Sequence, residues 1–391
     1  MSRPLRTLHL TTVDLTAYCF LRSWFACLHR SGAEVHLACT VEQFRDPLEE
    51  TGARVLALPI SRELRPLEDL ASLLDLVYLI RRLRPDVVHT HTSKAGFLGR
   101  LAAWLCRVPL ILHTIHELPE NSTDSPWRKA LYRALEQVAA RWATHLITVS
   151  EPNRRQILAA KICPERKLTL IREGLALERY RPSTPAAEVR RRLGIPAQAP
   201  VVGTLARLEP AKGHVYLLEA FARVLEARPD AWLVCVGGGH LRPDLEARSR
   251  DMGLAGRVVF TGFVEDVVDL VASFDVFALA SLYEGLGVAI LEAMALGRPT
   301  VCTAVGGVLD VVVDGETGYL VPPRDPEALA RRILELLGDP EKAAAMGAAG
   351  RRRVETEFRE DEANRRMLGL YRHLLERHGP WHDPEKAGLH L

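Results

Sequence analysis

Residues 281–299 read SLYEGLGVAILEAMALGRP, and the turn inside them carries the reading of the fold. An aliphatic run, Val276–Leu279, precedes the stretch and has the composition of a buried strand. An apolar helical pattern begins near Val288, and between strand and helix Glu284 precedes the turn Gly285-Leu286-Gly287. Small residues there let a ligand approach the backbone closely. The helix start adds unsatisfied amides and the positive end of a dipole, a cradle suited to a diphosphate. Glu292 stands on the second turn of the helix among apolar neighbours. Burying a carboxylate is costly unless it is paired or hydrogen-bonded, so Glu292 is expected to hold a hydroxylated partner. The competing reading makes Glu284 an ordinary helix-start acid and Glu292 a helix salt bridge.

The same strand–turn–helix rhythm extends in both directions. Upstream, VVGTLARLEPAKGH at 201–214 opens with an expected strand, Val201–Leu205, that contains Gly203, and then carries Arg207 and Lys212 in a turn-rich segment. Arg can grip a phosphate in bidentate fashion and Lys supplies a point charge, although strand-to-helix loops often carry solvated cations. Further strands are expected at Trp232–Val236, Val258–Thr261, Thr300–Thr303 and Gly318–Val321. In the first half they are expected at Leu8–Leu10, Glu34–Cys39, Arg54–Leu58, Val87–His89, Leu110–Thr114 and His145–Val149. Amphipathic stretches at Ala17–Ser31, Leu67–Leu83, Phe97–Cys106 and Trp127–Ala143 lie between them. This alternation predicts an α/β chain of two Rossmann-like, doubly wound parallel-sheet domains facing a central cleft. The domains are expected at 1–180 and 201–356, joined by a Pro- and Arg-rich linker at 181–200. A last helical pattern, Glu357–Arg377, would pack back on the first domain, followed by a frayed polar tail to Leu391.

Composition narrows the function classes. The 391 residues include 51 Lys/Arg and 49 Asp/Glu, a net charge of +2, unlike a dedicated nucleic-acid binder or an acidic disordered chain. Residues 1–185 hold 26 basic and 19 acidic side chains (+7), and residues 186–391 hold 25 and 30 (−5). That asymmetry suggests different partners for the two halves. Cys19, Cys27, Cys39, Cys106, Cys163, Cys235 and Cys302 are scattered without a Cys-x-x-Cys pair, as expected of free thiols in a reducing compartment. The opening MSRPLRTLHLTTVDL has no continuous apolar run, and ASLLDLVYLI is interrupted by Asp75, so a cytoplasmic protein without a membrane span is expected.

These motifs, in this order, resemble retaining glycosyltransferase family four, enzymes of the GT-B fold. The resemblance runs through PDVVHTHTSKAG (85–96), HTIHE (113–117), ITVSE (147–151), Gly203, Arg207, Lys212-Gly213, the Glu284/Glu292 pair and GGVLDVVVDGETGYLVPP (306–323). It implies a sugar transferred from a nucleotide diphosphate sugar, with UDP preferred, to an acceptor hydroxyl. Arg207 and Lys212 would neutralise the diphosphate, Glu292 would hold the ribose hydroxyls and Glu284 a hydroxyl of the transferred sugar. Gly203 would lie in the donor site, amides at Leu286, Gly287 and Val288 would bind sugar or phosphate, the backbone of Phe263 would meet the base, and His116 would approach the sugar. No metal or other cofactor is implied. HTHTSKAG resembles the branch that builds bacterial surface polysaccharides on lipid-linked acceptors, which implies contact with an anionic membrane surface at its inner face. His91, Lys94 and Glu173 are the acceptor-side residues by the same resemblance. The family's pattern is not followed at Glu173-Gly174, where Asn-Gly is common, at TTVDLTAYC (11–19), where a Gly-rich loop is usual, or at Asp310, where Glu is common.

Rival readings stay open on sequence alone. His89 and His91 alternate on one side of a strand end and, with His113 and His116, are the ligands a metal-dependent hydrolase would use. A sugar-nucleotide epimerase shares the two-domain architecture. Gly237-Gly238-Gly239 lacks the spacing of a dinucleotide fingerprint, which counts against a dehydrogenase. The joint presence of Glu284, Glu292, Arg207, Lys212 and His116 counts against a non-catalytic nucleotide-binding subunit.

Overall fold

A computed structural model describes residues 3–61, 65–123 and 125–378. The chain forms two compact units, Met1–Glu173 with Asp361–Leu391, and Gly174–Glu360. The first carries strands β1 (Arg6–Val13), β2 (Glu34–Thr40), β3 (Ala53–Ala57), β4 (Val87–Thr90), β5 (Leu110–Ile115), β6 (His145–Thr148) and β7 (Leu168–Leu170). The second carries β8 (Val201–Leu205), β9 (Trp232–Val236), β10 (Val258–Gly262), β11 (Val276–Leu279), β12 (Thr300–Thr303) and β13 (Tyr319–Val321).

Both sheets are parallel, ordered β3-β2-β1-β4-β5-β6-β7 and β10-β9-β8-β11-β12-β13. Each order reverses beside its first strand, between β1 and β4 and between β8 and β11, and ligands of such sheets bind beyond the strand carboxyl ends there. The central strands read as continuous apolar runs because helices cover both faces, as β5 and β11, buried along their whole length, illustrate.

In the first unit, one face of the sheet is closed by helices Pro66–Leu83 and Ser93–Leu105 over Leu8, Val88 and Ile111. The other face gathers Phe25, Leu37 and Leu112 with Leu368, Tyr371, Leu374 and Leu375 of the terminal helix Glu360–His378. In the second unit, Leu217, Phe221 and Val224 of helix His214–Ala227 pack over Val202, Leu233 and Val276.

Three expectations are corrected. Residues 181–200 do not form a free linker. Helix Ala186–Arg192 lies within them, and Arg190 donates to Ser273 O at 2.7 Å and Asp275 Oδ1 at 2.9 Å, while Ser183 and Thr184 bond Asp269. The division therefore falls between Glu173 and Gly174, because an arginine-rich stretch that reads as solvated is anchored by its guanidinium. The expected helix Ala17–Ser31 is two helices, Asp14–Phe20 and Arg22–Arg30, broken at Leu21. Strand β7, only three residues long, was missed because so short a run has no readable period. The expected frayed tail after Arg377 falls largely on 379–391, outside the described residues. Among the described residues no helix is long and apolar enough to cross a membrane.

Gly203 lies buried inside β8, and a Cβ there would stand 2.1 Å from the Phe274 ring. Its small size serves packing. Gly203→Ala is expected to cost about 1–3 kcal/mol, the range for overpacking a filled core, read as a lower urea midpoint of unfolding.

Candidate active site

The loops after β8 and β11 meet at one ion pair in the second unit. Lys212 ends the turn Pro210–Lys212, and its Nζ donates to Glu284 Oε1 at 2.7 Å. Ser281 Oγ donates to the same oxygen at 2.7 Å. The loops can come this close because of two glycines with positive φ. Gly213 (φ 62°) packs where a Cβ would sit 2.0 Å from Ala280 O, and Gly306 (φ 45°) where one would sit 2.0 Å from Glu284 O. Backbone bonds lock the arrangement: Leu282 N to Ala211 O at 2.8 Å, and Gly307 N to Glu284 O at 2.9 Å.

Gly287 (φ 92°) caps helix Val288–Ala295. The amides of Leu286, Gly287 and Val288 donate to no group among the described residues, so they are available to an anion. Arg207 is exposed and pairs with Glu209 Oε1 at 2.7 Å. Its loop is tied to the glycine run through Ala206 N to Val236 O and Leu208 N to Gly238 O, so Gly237–Gly239 support the Arg207 loop. Phe263 follows β10 and is about half exposed.

Glu292 is half-buried, and burial pushes its carboxyl up to about 7. Its Oε1 accepts the Tyr180 hydroxyl at 2.9 Å. The sequence reading missed Tyr180, which stands 112 positions away and has no local signal.

The first unit collects histidines within and just beyond β1, β4 and β5. His89 is engaged at both nitrogens, Nδ1 with Tyr371 Oη at 2.7 Å and Nε2 with Thr114 Oγ1 at 2.8 Å. His9 Nδ1 and His91 Nε2 lie 3.2 Å apart. His113 Nδ1 meets Thr90 Oγ1 at 2.8 Å. His116 is different. Its ring stands 5.6 Å from Phe20 and 5.9 Å from His91, and its backbone carbonyl accepts Asn153 Nδ2 at 3.4 Å. Its Nδ1 lies 2.7 Å from Glu173 Oε1, at hydrogen-bonding distance but poorly aligned, and its Nε2 is buried without a partner. The structure thus joins His116 and Glu173, while Lys94 is held by Asp69 at 2.5 Å.

The proposed hydrolase ligands do not gather as a set. The imidazoles whose nitrogens come together are His9, His89 and His91. With His89 bonded at both nitrogens and His9 bonded to His91, a central cation would have to break existing hydrogen bonds. Asp14, also missed, has its Oδ2 accepting from the amides of Glu42, Gln43 and Phe44 at 2.8–2.9 Å, which fixes the loop after β2. That contact occupies the place where a Gly-rich loop was expected.

Two doubly wound units of this kind constitute the GT-B fold, with an anion cradle and paired acidic and basic groups at the strand ends of the second unit. Residues 186–353 match the model for glycosyl transferases group 1, and residues 20–174 match that for a glycosyl transferase 4-like domain. An Escherichia coli UDP-Gal:alpha-D-GlcNAc-diphosphoundecaprenol alpha-1,3-galactosyltransferase is 30% identical over 81% of this chain and 83% of its own. The Staphylococcus aureus capsular polysaccharide biosynthesis glycosyltransferase CapM is 26% identical over 94% of this chain and 97% of its own. Anabaena HepE, solved with UDP and glucose, superposes with a TM-score of 0.81 at 23% identity, covering 94% of this chain and 99% of that one. The chain belongs to the glycosyltransferase family these models define, and it is a glycosyltransferase that draws on a nucleotide sugar.

Burial holds His9, His89, His91 and His113 neutral, lowering His9 to about 3 and the others well below the ordinary value. In the unfolded chain the same groups bind protons below about pH 6.5. Stability is therefore full above that pH and lost as pH falls, by up to about 1.4 kcal/mol per pH unit for each group. The urea midpoint is expected to drop between about pH 7.5 and 5, with a smaller slope in His9→Gln. Equal midpoints at the two pH values would contradict this.

Proposed function

We propose that the chain is a retaining, metal-independent glycosyltransferase that moves a sugar from a UDP-sugar to a saccharide or lipid-linked acceptor in cell-surface polysaccharide synthesis. The observation that carries the reading is the Lys212–Glu284 pair beside the free helix amides after β11, with Arg207 on the same loop after β8 as Lys212. The names of the Escherichia coli and Staphylococcus aureus relatives support the donor and acceptor classes.

In this mechanism the bond from the anomeric carbon to the diphosphate breaks and its electron pair stays on phosphate. Positive charge develops on the sugar and negative charge on the leaving group. Lys212 and the amides at Leu286–Val288 are already in place to stabilise that negative charge, and Arg207 joins them by exchanging Glu209 for phosphate. The acceptor oxygen bonds to the carbon on the face the phosphate leaves, and its proton passes to the phosphate. Glu284 accepts a sugar hydroxyl, and on the first unit His116, its Nδ1 2.7 Å from Glu173, offers an unpartnered Nε2. Glu292 binds the ribose, and the Phe263 backbone meets the base.

Contact with an anionic membrane is the second part of the proposal. Helix Pro126–Trp142 exposes Trp127, Leu131 and Val138 together with Arg128 and Arg141, while Arg133 is paired with Glu120 at 2.8 Å. Its only acid, Glu136, is buried against Arg100 at 2.7 Å. A basic, apolar surface of this kind suits an anionic bilayer.

Arg207→Ala and Lys212→Ala are each expected to cut transfer about 100-fold, the scale of losing one transition-state donor. The assay follows product by mass spectrometry with and without acceptor. Near-normal rates in both variants would remove the phosphate site, and turnover of the UDP-sugar without acceptor would favour an epimerase.

The protein is also expected to co-sediment with phosphatidylglycerol-containing vesicles at low salt but not with pure phosphatidylcholine. Arg128→Glu with Arg141→Glu should release it. Equal recovery with both lipids would defeat the membrane proposal.

A further inference from the structure

The partner of Glu292 has a consequence for the nucleotide site. Tyr180 follows the turn Leu177–Arg179 and, like Glu292, is half-buried in the second unit. An ionised carboxylate offers about four lone-pair positions. The Tyr180 hydroxyl takes one of those on Oε1 at 2.9 Å, which leaves the others for a pair of neighbouring hydroxyls. A glutamate on a helix surface otherwise samples several rotamers, and fixing one oxygen removes most of that freedom before a ligand arrives.

We propose that Tyr180 is the positioning residue of a diol-binding carboxylate, fixing the plane of Glu292 so that its free lone pairs accept both hydroxyls of a nucleotide ribose. This rests on the reading of Glu292 as the ribose ligand.

The electrostatics give the proposal a second signature. Burial raises the Glu292 carboxyl, while the Tyr180 hydroxyl and then Arg179 oppose the rise, leaving it at about 7. Glu360, the other charged group acting on this pair, raises Tyr180. The ionised carboxylate accepts two hydroxyls, whereas the protonated form must also place a donor. The ionised fraction falls as pH drops through about 7, so affinity for the ribose should fall with it. Without the Tyr180 hydroxyl one stabiliser of the charged form is gone, and the midpoint moves to higher pH.

The test titrates the full chain with UDP and with 2′,3′-dideoxy-UDP across a pH series, by calorimetry. GDP and its dideoxy analogue are run in parallel. The ratio of the two dissociation constants isolates the ribose hydroxyls from the titration of the phosphates. Tyr180→Phe, which keeps the ring, is expected to reduce the preference for the diol about threefold to tenfold near neutral pH, the net worth of one ordinary hydrogen bond. The preference should recover only in part at high pH, because ionisation returns while the lost orientation does not, and binding of the dideoxy nucleotide should not change. Glu292→Gln should abolish the preference at every pH. If Glu292→Gln does so while Tyr180→Phe matches the native protein in both preference and pH midpoint, the positioning role of Tyr180 is overturned. If Glu292→Gln leaves the preference intact, the ribose assignment itself fails. Thermal melting of each variant separates lost binding from lost folding.

Discussion

The Lys212–Glu284 ion pair is the contact on which the donor-side loops depend. It joins the loop after β8 to the loop after β11, and Ser281 bonds the same carboxylate oxygen. Glu284 is buried, so removing the ammonium would strand a carboxylate that water cannot reach freely, a far larger cost than losing a surface pair. The pair also requires close backbones. Gly213 against Ala280 and Gly306 against Glu284 are spaces that any side chain would fill. Two glycines and one ion pair thereby fix where the amides of Leu286, Gly287 and Val288 point.

Much of this was legible in the second unit because strand, turn and helix follow one another within short stretches. All six of its strands were read to within a residue at each end, since a parallel strand covered on both faces is an unbroken apolar run. The Glu284 turn announced itself by glycine spacing. Tyr180 did not, because its partner lies on a distant helix and an isolated tyrosine before a Pro-containing stretch has no pattern to report. Arg190 was hidden for a related reason. A run of arginines reads as solvated surface, and only the fold shows that one guanidinium is spent on the Ser273 carbonyl and Asp275.

In the first unit the histidine motif was visible, but its division of labour was not. Within HTHTSKAG, His91 and Lys94 were acceptor or cleft candidates while His89 and His91 also read as strand-end packing, and packing accounts for most of the motif. A Cβ at Gly96 would stand 2.5 Å from the His113 ring, and one at Gly99 would stand 2.4 Å from Leu10, so both glycines let helix Ser93–Leu105 lie close on the sheet. His89 is closed off by Tyr371 and Thr114, and Lys94 by Asp69. His116 is left with one ring nitrogen 2.7 Å from Glu173 and the other unclaimed. Glu173 looked like a departure from the family's Asn; in this chain it is the acid that accompanies that histidine.

The two cations of the second unit differ in a way their sequence spacing concealed. Both come already paired, Lys212 with Glu284 and Arg207 with Glu209. The exposed Arg207 pair contributes little and is screened by salt, so its guanidinium can exchange Glu209 for a phosphate at small cost. Lys212 cannot do the same without unpairing a buried acid, and so it must serve a ligand while still holding Glu284. Arg207 then acts as the exchangeable cation and Lys212 as the fixed one. The near-neutral total charge of the chain hides this, because what matters to an arriving diphosphate is how tightly each local pair is already closed.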